Sequence, residues 1–283
     1  MNAAASDSGI SNARRPVRLC AAAAVVGLAL ALTACESSEP VYVEKPVETL
    51  YNEALDALED GRYTDAQEGF EEVERQHPYS KWATKSQLMA AFSYYLSDRY
   101  DDAVNAADRF IALHPGDPDV AYAYYMIAIS YYEQIVDVGR DQDFTELALA
   151  GLEEVVRRFP DTEYARDARL KADLARDHLA GKEMDVGMYY LERGQFAAAI
   201  NRFRTVIERH QTTTHVPEAL HRLTEAYLSL GIVDEAQTAA AVLGHNFPGS
   251  TWYLESYALI TGADLRPAED DESWISSAFS AIF

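Results

Sequence analysis

Between residues 50 and 248 one spacing recurs five times: a small residue on an apolar face, a turn residue, an alanine, large apolar residues three to seven positions on, and usually a proline. It runs through Leu50, Ala54, Gly61, Ala66, Phe70 and Pro78, then through Ala91, Asp98, Ala103, Ala107, Phe110 and Pro115. A third unit holds Ala128, Ala148, Leu152 and Pro160. A fourth holds Gly187, Gly194, Ala199 and Phe203, with Gln211 where proline is expected, and a fifth holds Leu220, Gly231, Ala236, Leu243 and Pro248. Small residues let two helices approach, and a large residue one turn on lies on the same face and fills the gap. The prolines end each second helix, and Ser80, Thr162 and Ser250 are placed to cap the next one.

Pairs of antiparallel helices with this signature are similar to the tetratricopeptide repeat, so an all-α superhelix of about five repeats is expected. Ala66 and Ala103 stand 37 residues apart and Ala103 and Ala148 stand 45 apart, both longer than the norm of about 34. The third unit therefore carries an insertion, assigned to Asp137–Asp143. Expected boundaries are repeats over 48–162, a linking helix over 163–181, repeats over 182–262 and a tail over 263–283, in which Trp274, Ile275, Ala278 and Ile282 form a stripe.

Ahead of the repeats, Arg14, Arg15 and Arg18 precede the uncharged run Leu19–Leu32. That is the pattern of a cleaved export signal over 1–34, shorter than the roughly 20 apolar residues that span a bilayer. The ending Leu32-Thr33-Ala34-Cys35 resembles a bacterial lipobox, which implies diacylglycerol on the sulfur of Cys35 and an acyl chain on its new amino terminus. More than one chain is needed for a firm anchor. Residues 35–47 read as a lipidated tether, able to extend roughly 40 Å. Cys20 lies in the signal and Cys35 is acylated, so no disulfide is expected.

Without residues 1–34 the chain has 21 basic and 45 acidic side chains, a net charge of −24. That disfavours nucleic acid as a partner and adsorption on anionic lipid, leaving the lipid as the sole membrane contact. The charge is uneven: 35–156 carries −18, 157–222 carries +2 and 223–283 carries −8. Arg193, Arg202, Arg204, Arg209 and Arg222 fall in the basic island, either as a solvated face or as a docking surface for an acidic partner. On the first helices of repeats one to three, Tyr51, Leu55, Leu58, Leu88, Phe92, Tyr95, Tyr122, Tyr125, Ile129 and Tyr132 are expected to face the inner side. Some of them belong to the core. As a set they suggest an aromatic-lined groove for an extended peptide.

No catalytic motif is present: there is no GxSxG, no HExxH and no phosphate loop. His210, His215 and His221 read as exposed or capping residues rather than a metal site, and no cofactor is expected beyond the lipid. The stretch Asp108-Arg109-Phe110-Ile111-Ala112-Leu113-His114-Pro115-Gly116-Asp117-Pro118, followed by Tyr122-Ala123-Tyr124-Tyr125, resembles the second-to-third repeat junction of the BamD (YfiO/ComL) lipoproteins of the outer-membrane β-barrel assembly machine. The resemblance implies a non-enzymatic scaffold at the periplasmic face of the outer membrane. Unfolded barrel proteins would meet its first repeats, and the POTRA region of BamA, with the other lipoproteins of the complex, would meet its last ones. A different reading of the same chain is a periplasmic repeat adaptor for cell-wall synthesis or division enzymes.

Overall fold

The computed structural model describes residues 44–268, 270 and 272–280; Cys35, the segment before it and Ile282 lie outside them. The described chain is all-α. Its helices are α1 (Val47–Glu59), α2 (Tyr63–Gln76), α3 (Lys81–Leu96), α4 (Tyr100–Leu113), α5 (Val120–Tyr132), α6 (Asp143–Arg158), α7 (Glu163–Glu192), α8 (Phe196–Arg209), α9 (Val216–Leu230), α10 (Val233–Asn246), α11 (Thr251–Gly262) and α12 (Trp274–Ser280). Each helix from α1 to α10 packs on the next. The first helices of successive pairs also touch, α1 on α3, α3 on α5 and α5 on α7 in one row, and α9 on α11 after a break between α7 and α9. This is the tetratricopeptide solenoid.

The alanine rule accounts for the core. Ala66, Ala103, Ala148, Ala199 and Ala236 are fully buried, as are Phe70, Phe110, Leu152, Phe203 and Leu243 beside them. Between the helices of a pair, Gly61 (φ 74°) and Asp98 (φ 59°) take the left-handed conformation the turn needs. At the exits, His77, His114 and Phe159 precede prolines and leave the helical region with ψ of 55°, 53° and 50°. Ser80, Thr162 and Ser250 each accept a backbone N–H at the following helix start.

One boundary differs from expectation, and two features of the sequence find their setting. The linking helix does not stop at Gly181. Ala165, Ala168, Ala172 and Ala175 face the preceding pair, and the same helix runs on through Ala180, Met184, Gly187 and Leu191 to pack on α8. Gly181 keeps helical geometry and no proline follows it, so nothing ends the helix there. The exit of α8 keeps the geometry of the other exits (His210 φ −127°, ψ 41°) without proline. There Gln211 donates from Nε2 to the Ala278 carbonyl at 3.2 Å, joining the exit to the tail. The tail forms α12, which lies on α8 and α10 and buries Ile275 and Phe279, while Trp274 Nε1 donates to Tyr227 Oη at 3.1 Å.

The insertion forms the loop 133–142. Gln142 spans it, donating to the carbonyls of Asp137 (3.2 Å) and Arg140 (3.1 Å), while its Oε1 accepts from Thr145. Asp143 belongs to α6 rather than to the loop. The Arg109 and His114 of the family-like stretch are structural. Arg109 pairs with Glu74 at 2.7 Å, Glu74 accepts from Gln87, and His114 Nε2 meets Gln87 Oε1 at 3.0 Å.

Gly187 leaves room for Phe203, since a Cβ there would lie 2.4 Å from the ring. Gly187→Ala is expected to cost about 1–3 kcal/mol by overpacking. The pair Gly187→Ala, Phe203→Leu should cost clearly less than the sum of its two singles. Urea unfolding of the four proteins measures this, and additive costs would show that the glycine is not there for the ring.

Candidate functional site

The inner row divides the ten groove residues into two groups. Tyr51, Leu58, Leu88 and Ile129 are core, each under a tenth exposed. Tyr51 is covered because Trp82 of the next first helix closes over it (4.6 Å) while Phe70 meets its other side (5.5 Å). Leu55 is half-buried and, with Phe92, packs against the first-repeat core, which leaves five. These are Phe92, Tyr95, Tyr122, Tyr125 and Tyr132, all half-buried, on α3 and α5. Tyr164 of α7 joins them, with ring centroids 5.5 Å from both Tyr122 and Tyr125. No local pattern marks Tyr164 in the sequence, because it reaches the row only through packing of α7 on α5.

The aromatic patch has defined polar tips. Tyr95 Oη donates to Glu133 Oε1 at 3.1 Å and Tyr125 Oη to Asp167 Oδ2 at 2.5 Å. Lys171 Nζ bonds Asp167 at 2.7 Å and lies 5.8 Å from the centre of the Tyr132 ring. Burial, then the neighbouring carboxylates, raise the Tyr95 and Tyr125 phenols well above their usual range; burial likewise raises Tyr122. All three stay protonated donors at neutral pH. Burial pulls Asp167 upward, but the bonds from Lys171 and Tyr125 outweigh it and hold the carboxyl below its usual value. Flat apolar faces with fixed hydroxyl tips suit an extended peptide, whose side chains take the faces and whose backbone takes the donors and acceptors.

The basic island does not form one patch. Arg202 and Arg209 are exposed seven residues apart on one side of α8. Arg202 pairs with Glu183 of α7 at 3.2 Å, above a depression of about 270 Å³ that Tyr190, Asn201 and Thr205 also line. Arg193 stacks on Tyr189 at 3.6 Å. Arg204 instead turns toward the tail, 4.6 Å from the Trp274 ring and 2.7 Å from Glu208. Arg222 is half-buried on Trp252, between Glu218 and Glu225, and ties α9 to α11. Both meet aromatic partners that lie far away in sequence; Arg222 is thereby drawn in, whereas Arg204 stays as exposed as Arg202.

Among the described residues no cluster of three or more His, Cys, Asp or Glu is placed to hold a metal, and no helix is long and apolar enough to cross a membrane. His210 and His215 stand at helix ends. His221 corrects the expectation of exposure. It is 3% exposed, meets Ser256 Oγ at 2.9 Å through Nδ1, and is pushed below its usual pKa, first by burial and then by Arg222.

Residues 43–243 match the YfiO family, described as outer membrane lipoprotein. Outer membrane protein assembly factor BamD of Caulobacter vibrioides is 54% identical over 249 residues, covering 87% of this chain and 82% of its own. The protein of that name from Rickettsia prowazekii is 45% identical over 244 residues, covering 86% and 96%. That of Neisseria meningitidis serogroup A is 35% identical, covering 82% and 93%. A solved thermophilic TPR protein of Thermus thermophilus is 20% identical over 77% of this chain and 98% of its own, with a TM-score of 0.36. The fold assignment rests on the helix pairs described above and not on that likeness. A family match spanning most of the chain, with relatives at 54% and 45% identity, makes this chain a member of the YfiO family of outer membrane lipoproteins.

Proposed function

We propose that this chain is an outer membrane protein assembly factor of the BAM complex that works by binding alone. Its relatives carry that assembly role in their names. The observation that carries the mechanism is the row Phe92, Tyr95, Tyr122, Tyr125 and Tyr132 on consecutive first helices, half-covered, with the Tyr95 and Tyr125 hydroxyls pinned by carboxylates. The row receives segments of unfolded β-barrel proteins. Aromatic faces supply apolar contact at small entropic cost, since each ring has few rotamers, and no bond is made or broken.

The opposite end of the solenoid holds the insertase. Arg202 and Arg209 on α8 offer exposed positive charge within an otherwise acidic chain, and they meet an acidic face of the POTRA region of BamA. Electrostatic complementarity there fixes orientation and speeds encounter more than it deepens affinity. Cys35 carries S-diacylglycerol and an N-linked acyl chain, which hold the protein at the periplasmic face of the outer membrane. The tether keeps client and insertase at high effective concentration. The other lipoproteins of the complex complete the assembly.

Phe92→Ala combined with Tyr125→Ala is expected to reduce crosslinking of an unfolded barrel segment to the first three repeats by about tenfold, the scale of one to two lost aromatic contacts. Circular dichroism should stay unchanged. Undiminished crosslinking in the folded variant would exclude the aromatic row as the client site. Arg202→Glu is expected to lower recovery of BamA in detergent pull-downs at low salt, with less difference at high salt. Equal recovery at both salt concentrations would remove α8 from the interface.

A further inference from the structure

The aromatic row does not end at Tyr132. Beyond it the row of first helices opens into a cleft of about 630 Å³ between the loop 133–142, α7 and the approach to α9, well inside the size range of ligand sites. Direct contact between α7 and α9 is thin here. Asp177 of α7 accepts from the backbone and hydroxyl of Thr214 at 2.9 and 2.7 Å, and a Cβ on Gly181 would lie 3.2 Å from His215 Nε2. The long loop and the continuous α7 thus leave a gap where an ordinary repeat would close.

Two residues join the cleft to the aromatic row. Tyr132 lines both, and Glu133, on the cleft wall, accepts from Tyr95 of the row. The cleft wall is apolar through Ile135, Val138 and Leu174, the last 60% exposed. Its charges have one sign. Glu133 and Asp177 line it, and no lysine or arginine does so among the described lining residues. Lys171, just outside, is engaged by Asp167 and the Tyr132 ring. Of the two imidazoles, His178 Nε2 donates to the Val136 carbonyl at 2.7 Å and His215 approaches Asp177 at 3.6 Å. Asp177 is held in place by Thr214, whereas Glu133 has only the Tyr95 hydroxyl against it.

We infer that the client groove continues past Tyr132 into this cleft, where it takes a peptide segment with an apolar side chain flanked by lysine or arginine. The inference rests on the aromatic row being the client site and adds to it a charge preference. A strand alternates its side chains, so an apolar residue can lie on Leu174 and Ile135 while its basic neighbours reach toward Glu133 and Asp177. The acidic balance of the whole chain favours the same partner.

Fluorescence anisotropy with the full mature chain in detergent tests this. The probes are two fluorescein-labelled peptides of alternating Tyr and Ser, one followed by Lys-Val-Lys and the other by Glu-Val-Glu. The lysine peptide should bind about three- to tenfold tighter at low salt, the scale of one exposed ion pair. Glu133→Gln should bring the ratio close to one, and Leu174→Arg should invert it. Phe92→Ala with Tyr125→Ala should weaken both peptides and leave the ratio standing. If that double variant weakens binding but the native protein does not distinguish the peptides, the extension is wrong and the aromatic site stands. The extension is equally overturned if Glu133→Gln and Leu174→Arg both leave the ratio unchanged. If neither peptide binds, both the extension and the client site fall.

Discussion

Close approach of helices at alanine is the constraint on which this structure depends. Ala66, Ala103, Ala148, Ala199 and Ala236 carry no side-chain bulk beyond Cβ, so each second helix sits deep against its partners and Phe70, Phe110, Leu152, Phe203 and Leu243 fill what remains. Each pair buries its apolar face only against the next, so the stack is stabilised by neighbour contacts along its length.

The same packing produces the surface proposed to bind clients. Once second helices are drawn in behind, the first helices stand in a row, and whatever their free side carries becomes one continuous strip. In repeats two and three that side is aromatic, and Glu133, Asp167 and Lys171 fix the orientation of its hydroxyls. Where the repeat is interrupted, by the loop 133–142 and the unbroken α7, the strip widens into a cleft whose charged lining is acidic. At the other end, α12 lies on α8 and α10, with Trp274 between Arg204 and Tyr227; Arg202, Arg204 and Arg209 all stay exposed on α8, Arg204 engaged by the tail and Arg202 and Arg209 free of it.

Features set by neighbours along the chain were legible in the sequence. The alanine-to-large spacing, the turns at Gly61 and Asp98, the proline exits and the hydroxyl caps all act within one or two turns, and all appear as read. Features set by residues far away were not. Periodicity puts Tyr51 and Phe92 on equivalent faces, yet only the structure shows that Trp82 closes over the first. Arg204 and Arg222 read as part of a charged face until Trp274 and Trp252, which no spacing connects to them, appear beneath their guanidinium groups. Gln211, a departure from the repeat in the sequence, becomes intelligible once the tail returns to it.

Site-specific photocrosslinking tests the central claim, that the row of first helices receives unfolded barrel protein. A photoreactive phenylalanine at Tyr95 or Tyr125, on the row, is compared with one at Leu113 or Tyr79, both exposed on a second helix or an exit turn. The account predicts adducts with newly exported barrel proteins from the first two positions and background from the others. Equal yields from all four, or adducts only from Leu113 and Tyr79, would contradict it.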